Sequence, residues 1–254
     1  VSVTSLTLAA AGLALLAQAG QHTTPHVPHE PVARHEGTVA AAELRARVRD
    51  CAPVSHGHYR SDADAPADIS VCGTDGAVFW KADLDIDCDG RPGSRCNRRT
   101  DPWFSDATAY PQSDGRSLSA ETLPYIVVPA PSPLWDHRKH GVRGGAVAAV
   151  VHGDRVQYAV VGDVGPAGVI GEASYATAEG LGLRADPRRG GAASGVTYIV
   201  FKDSKVTPIE SHAAAVEAGE RLAREFIEGT PEAGQRRRVV RPRTGPRPRA
   251  GSRR

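Results

Sequence analysis

The sequence contains no methionine, and only 5% of its residues are aromatic. Its core must therefore be built from Val, Ile, Leu and Ala, and a hydrophobic content of 40% over 254 residues is enough for one domain of ordinary size. No C-x-x-C pair occurs. Cys51, Cys72, Cys88 and Cys96 are separated by 20, 15 and 7 residues, which disfavours zinc and leaves two disulfides in an exported chain. Of the three possible pairings, the local one is expected, Cys51 with Cys72 and Cys88 with Cys96. G-x-S-x-G, Walker and H-E-x-x-H patterns are also missing, so neither cofactor nor metal is expected.

The apolar stretch from Leu6 to Ala17 is shorter than the roughly 20 residues a bilayer span takes. Ala17-Gln18-Ala19 then offers a small-residue cleavage site before Gly20. Residues 1–19 are read as a secretory signal peptide, although no Lys or Arg precedes the apolar run. A His- and Pro-rich leader follows over 20–38. At the other end, residues 236–254 hold nine Arg and no acid. Setting them aside leaves 22 basic against 29 acidic residues, a formal charge of −7. The net +2 thus hides an acidic body, suited to a cationic partner. A disordered, Arg- and Pro-rich tail covers 230–254. Nucleic-acid binding would rest on that tail alone and is not expected.

Between these ends, residues 39–229 read as one domain. A short helix places Ala41, Leu44 and Val48 on one face. β-type runs cover 77–88, 125–129, 145–151, 155–161 and 196–201, and His152-Gly153-Asp154 turns one strand into the next as a hairpin. Residues 212–228 carry an apolar stripe at helical spacing (Ala215, Gly219, Leu222, Ala223, Phe226). The strands cluster instead of alternating with long helices. The expected fold is a β-rich α+β domain, mainly antiparallel or barrel-like, with a few short helices and a C-terminal helix.

Two patterns bear on chemistry. In FWKADLDIDCDG (79–90), aspartates recur at every second position: Asp83, Asp85, Asp87 and Asp89. In a strand they line one face, with Trp80, Leu84 and Ile86 on the other. Asp85-x-Asp87-x-Asp89-Gly90 begins like an EF-hand, but its twelfth position is Cys96, where a bidentate Glu is needed. A solvated edge strand blunted by charge is a competing account. The second pattern is GDVGPAGVIGEAS (162–174), a glycine-rich loop with Asp163 at the end of one strand and Glu172 opening a helix over EASYATAEGL. Two carboxylates so held could flank one glycosidic bond, while a helix N-terminus would favour the ionised form of Glu172.

FWKADLDIDCDG, LPYIVVP, GDVGPAGVIGEASYATA and IESHAAA together resemble the glycoside hydrolase family 75 chitosanases, from about residue 43 to 228. The resemblance implies a secreted enzyme that cuts chitosan endolytically with inversion. It also implies that Asp163 and Glu172 are the essential carboxylates. Glu172 is expected as the acid and Asp163 as the base, an assignment that the helix argument opposes. Chitosan carries protonated amines, so Asp83, Asp85 and Asp87 are expected to line its subsites, with Trp103 of TDPWFSD as a sugar platform. Trp80 is expected in the core. The partner is then chitosan, with no membrane role once processed, and the enzyme is expected to be a monomer. A calcium-dependent carbohydrate-binding module and a peptidoglycan-cleaving barrel are the alternatives.

Overall fold

Residues 77–87, apolar at the start and alternating from Lys81 onward, form an 11-residue strand. In the computed structural model, which describes residues 36–229, this is strand β3 (Ala77–Asp87). It follows helix α1 (Ala41–Arg47) and two short strands, β1 (Ala52–Pro53) and β2 (Cys72–Thr74). Then come β4 (Tyr125–Pro129), a single 3-10 turn at His137–His140, β5 (Val147–His152), β6 (Arg155–Gly165) and β7 (Glu172–Ser174). Helix α2 (Tyr175–Gly180), β8 (Ala192–Phe201) and helix α3 (His212–Glu228) complete the chain. The expected signal segment, nearly all of the leader and the tail lie outside the described residues. No helix among the described residues is long and apolar enough to cross a membrane.

Six strands close into a barrel in the order β3-β7-β4-β6-β5-β8, with β8 returning to β3. β1 and β2 extend the sheet beyond β3. Closure removes free edges from those six strands. The hairpin read from His152-Gly153-Asp154 is β5–β6, antiparallel with His152 opposite Arg155. Two of the pairs, β3 with β7 and β4 with β6, are parallel. Such pairs join strands distant in sequence, which local patterns do not reveal.

Trp80 is fully buried, as its alternation predicts. It stacks on its register partner Tyr198 at 5.2 Å and meets Trp135 edge-on at 6.4 Å. Burying a large apolar side chain contributes roughly 1.5–3 kcal/mol, so these aromatics offset their scarcity by position. Helix α3 packs across β5 and β6. Gly219 admits the Tyr158 ring, and Phe226 meets Phe201 at 6.0 Å. Ser211 caps this helix by accepting the Ala214 N–H at 3.2 Å. Both disulfides have the local pairing, Cys51–Cys72 and Cys88–Cys96.

One expected element is different. The helix does not begin at Glu172: residues 172–174 are strand β7, and α2 begins at Tyr175 with Ser174 as its cap. Ala173 is held between Ile86 and Ile126 of the neighbouring strands, and this pairing outweighs the helical propensity of EASYATAEGL.

Candidate active site

Asp163 is set by a bulge. On β4, Ile126 faces Val161 but Val127 faces Asp163, so Gly162 is the extra residue on β6. A side chain at Gly162 would come within 2.6 Å of the Tyr125 Cβ, which makes glycine necessary there. Bulges re-aim the side chains that follow them. Asp163 is then held by two backbone donors: its Oδ1 accepts the N–H groups of Ala109 and Val164, both at 2.7 Å. Burial raises its pKa, and these two bonds oppose the rise.

Glu172 stands on β7 in the same row. Ala173 faces Ile126 and Asp163 faces Val127 in register, so Glu172 and Asp163 flank Val127 from either side. Two strand spacings put their backbones roughly 9.6 Å apart. The Glu172 carboxyl reaches towards β6, its Oε2 lying 3.3 Å from where a Cβ on Gly165 would sit. Burial, and then the charges of Asp85, Asp89 and Asp163, push its pKa up to about 7. Glu172 lies in a strand, two residues ahead of the Ser174 cap, and is not in the first turn of the helix.

The aspartate ladder divides. Asp85 is exposed opposite Glu172, whereas Asp83 and Asp87 are only 7% and 5% exposed. Asp85, Asp87 and Asp89 line a cleft of about 330 Å³ together with Glu172, Asp101, Trp103 and the 186–190 loop. Asp83 is not on that surface. The backbone at Gly171 covers it, and its Oδ1 has no hydrogen-bond partner. The expectation of one continuous acidic subsite face thus gives way to two carboxylates at the surface, Asp85 and the half-buried Asp89, with two more packed beneath. The solvated-edge account also fails here, since β3 lies between β8 and β7 inside the closed sheet. So does an EF-hand, because Asp85 and Asp87 belong to a strand.

Trp103 is 90% exposed at the cleft. Asp101 accepts the Trp103 N–H at 2.9 Å and so fixes the loop that carries the ring. An Asp two residues before the amide it binds is an Asx-turn signal, legible in TDPWFSD. Burial raises the pKa of Asp85, and Asp62, which lies against its carboxyl, adds to the rise. Arg188 and Arg189 stand at the cleft as well. The Arg188 guanidinium is engaged by the carbonyls of Arg99 and Thr100.

Asp87, Asp89 and Asp163 bring carboxylate oxygens within 4.8 Å of one another. This is the one such grouping among the described residues. All three already accept backbone N–H groups, Asp87 from Asp89 at 2.6 Å and Asp89 from Ser105 at 2.7 Å. Burial raises the pKa of every member, that of Asp89 to about 6.

Glu172 thus stands in an acidic cleft beside the exposed Trp103, with Asp163 buried two strands away in the same register row. The family described as fungal chitosanase of glycosyl hydrolase group 75 matches residues 84–236, and the chain belongs to that family. Endo-chitosanase C of Aspergillus oryzae is 34% identical over 137 residues, 52% of this chain and 33% of that protein. An endo-chitosanase of Aspergillus fumigatus is 31% identical over 139 residues, covering 50% of this chain and 58% of the relative. The chain thus spans between a third and three-fifths of the length of these curated relatives.

Proposed function

We propose that the protein is a secreted endo-chitosanase that hydrolyses β-1,4 bonds between glucosamine units with inversion. The observation that carries this reading is the row Glu172–Val127–Asp163 across β7, β4 and β6, in which Glu172 lines the acidic cleft and Asp163 is buried two strands away. An inverting pair needs its carboxyls about 6.5–9.5 Å apart, so that a water fits on the far side of the sugar. The backbones stand two strand spacings apart, roughly 9.6 Å, and the Glu172 carboxyl leans towards β6, which shortens the span between the carboxyls.

The two environments also differ in the required sense. Glu172, buried among like charges, keeps its proton to near pH 7 and so can protonate the leaving oxygen. Asp163, stabilised as an anion by two N–H donors, can take a proton from water. Glu172 is therefore the acid and Asp163 the base. Asp85 and Asp89 meet the sugar ammonium groups, Asp87 supports them from below, and Trp103 offers its face to a ring. An N-acetylated sugar would leave those carboxylates desolvated and unpaired, which disfavours chitin. Two disulfides among the described residues fit an oxidising compartment. Residues 39–229 form the catalytic domain, acting as a monomer and without a cofactor.

The test is reducing-end release from highly deacetylated chitosan, with chitin and peptidoglycan as controls and the first anomer followed by NMR. Activity on chitosan with the inverted anomer supports the reading. Activity on peptidoglycan alone, or the retained anomer, defeats it.

A further inference from the structure

Inversion takes a proton from the acid and leaves one on the base. After each cleavage Glu172 is ionised and Asp163 protonated, the reverse of what the next cleavage needs. The proton must return.

A third carboxyl lies near both of them. Asp87 is 5% exposed, and its oxygens approach those of Asp163 and Asp89 within 4.8 Å. Glu172 is its neighbour on the adjoining strand. The β3–β7 register sets Asp85 opposite Glu172 and Asp87 opposite Ser174, so Asp87 is the next position along β3 on the face that Glu172 shares with Asp85. Glu172 is also the foremost charge acting on it. The N–H of Asp89 binds Oδ1 of Asp87 at 2.6 Å, which fixes the carboxyl and leaves Oδ2 to carry a proton.

We propose that Asp87 is the proton-return residue of this site: after each cleavage the proton on Asp163 passes to Asp87 while Asp87 passes its own to Glu172. The O–H bond at Asp163 breaks, that at Asp87 is exchanged, and one forms at Glu172. Asp87 is neutral before and after, and no co-reactant is needed. The groups acting on it are Glu172 from β7, Asp163 from β6, Tyr125 from β4 and Asp89 beyond the end of β3, all of them acidic or phenolic. Burial and these neighbours hold Asp87 well above the usual carboxylate range, as a neutral carrier requires. Asp87 acts through the catalytic pair and is a positioning residue for its protons.

The proposal rests on inverting hydrolysis of chitosan, and wild-type inactivity or a retained anomer would remove that basis. The relay has its own test in Asp87→Asn, a near-isosteric change whose amide cannot pass a proton. Return follows bond cleavage, so it enters kcat but not kcat/KM. The expected result is kcat lower by about 10-fold or more, KM lower by the same factor, and kcat/KM within about twofold of wild type. Imidazole buffer, an external proton carrier that is cationic when protonated, should restore kcat in the variant and leave the wild type unchanged. An unchanged kcat overturns the relay. So does an equal fall in kcat and kcat/KM, which marks a role in bond breaking or in the fold. Should Asp87→Asn lose the wild-type melting transition, Asp87→Glu takes its place. A fall confined to kcat and relieved by imidazole is then expected, and equal falls overturn the proposal.

Discussion

Asp83 gives a prediction about stability that is independent of substrate. It is 7% exposed, its Oδ1 has no partner, and Asp85 and Asp62 are its charged neighbours. Burial, followed by the charge of Asp85, raises its pKa from 3.8 to about 7. The folded protein therefore keeps a proton that the unfolded chain has already released between these two values. Stability must fall as pH rises through that window, and the full penalty applies above pH 7. Three pK units correspond to roughly 4 kcal/mol, and relaxation around a buried carboxylate brings the effect to about 2–4 kcal/mol. Asp83→Asn has the shape of the protonated acid and cannot ionise. At pH 4 it should match wild type, and at pH 8 it should be more stable by that amount, a rise in Tm on the order of 5–10 °C. Thermal melts of both proteins at the two pH values decide the matter. A difference that is the same at pH 4 and pH 8 would show that the Asp83 proton has nothing to do with folding.

Glu172→Gln and Asp163→Asn should each lower kcat by about 10²-fold or more while chitosan still binds, and either variant near the wild-type rate excludes that residue from the chemistry. In the wild type, kcat/KM should decline above about pH 7 as Glu172 loses its proton, a limb that disappears if Glu172 is not the acid. Asp85→Asn should raise KM on chitosan several-fold, about 1 kcal/mol for one exposed charge pair; unchanged kinetics would take Asp85 out of substrate binding. Removing the Cys51–Cys72 disulfide by Cys→Ala at both positions should cost about 3 kcal/mol, the chain entropy of a 21-residue loop. A urea midpoint within error of wild type would contradict this.

Sequence periodicity carries a one-dimensional message, and the elements recovered from it are those whose cause is local. β3 and α3 follow from spacings of two and 3.6, β4 and the β5–β6 hairpin from short apolar runs and a local turn, and Ser211 declares its cap. β7 could not be read in this way. It is three residues long, its own sequence favours a helix, and only the flanking strands β3 and β4 make it a strand. That change matters for chemistry, because it takes Glu172 out of the first turn of the helix and places the residue in a row with Asp163. The same limit applies to the aspartate ladder. Alternation states that Asp83, Asp85, Asp87 and Asp89 share a face, but not what covers that face. Gly171 folds over one of them, Asp163 and Glu172 close around another, and Asp85 is left for the solvent. Four identical side chains in one register thus acquire different tasks, since closing the barrel sets the desolvation of each, and desolvation decides which of them can hold a proton at neutral pH.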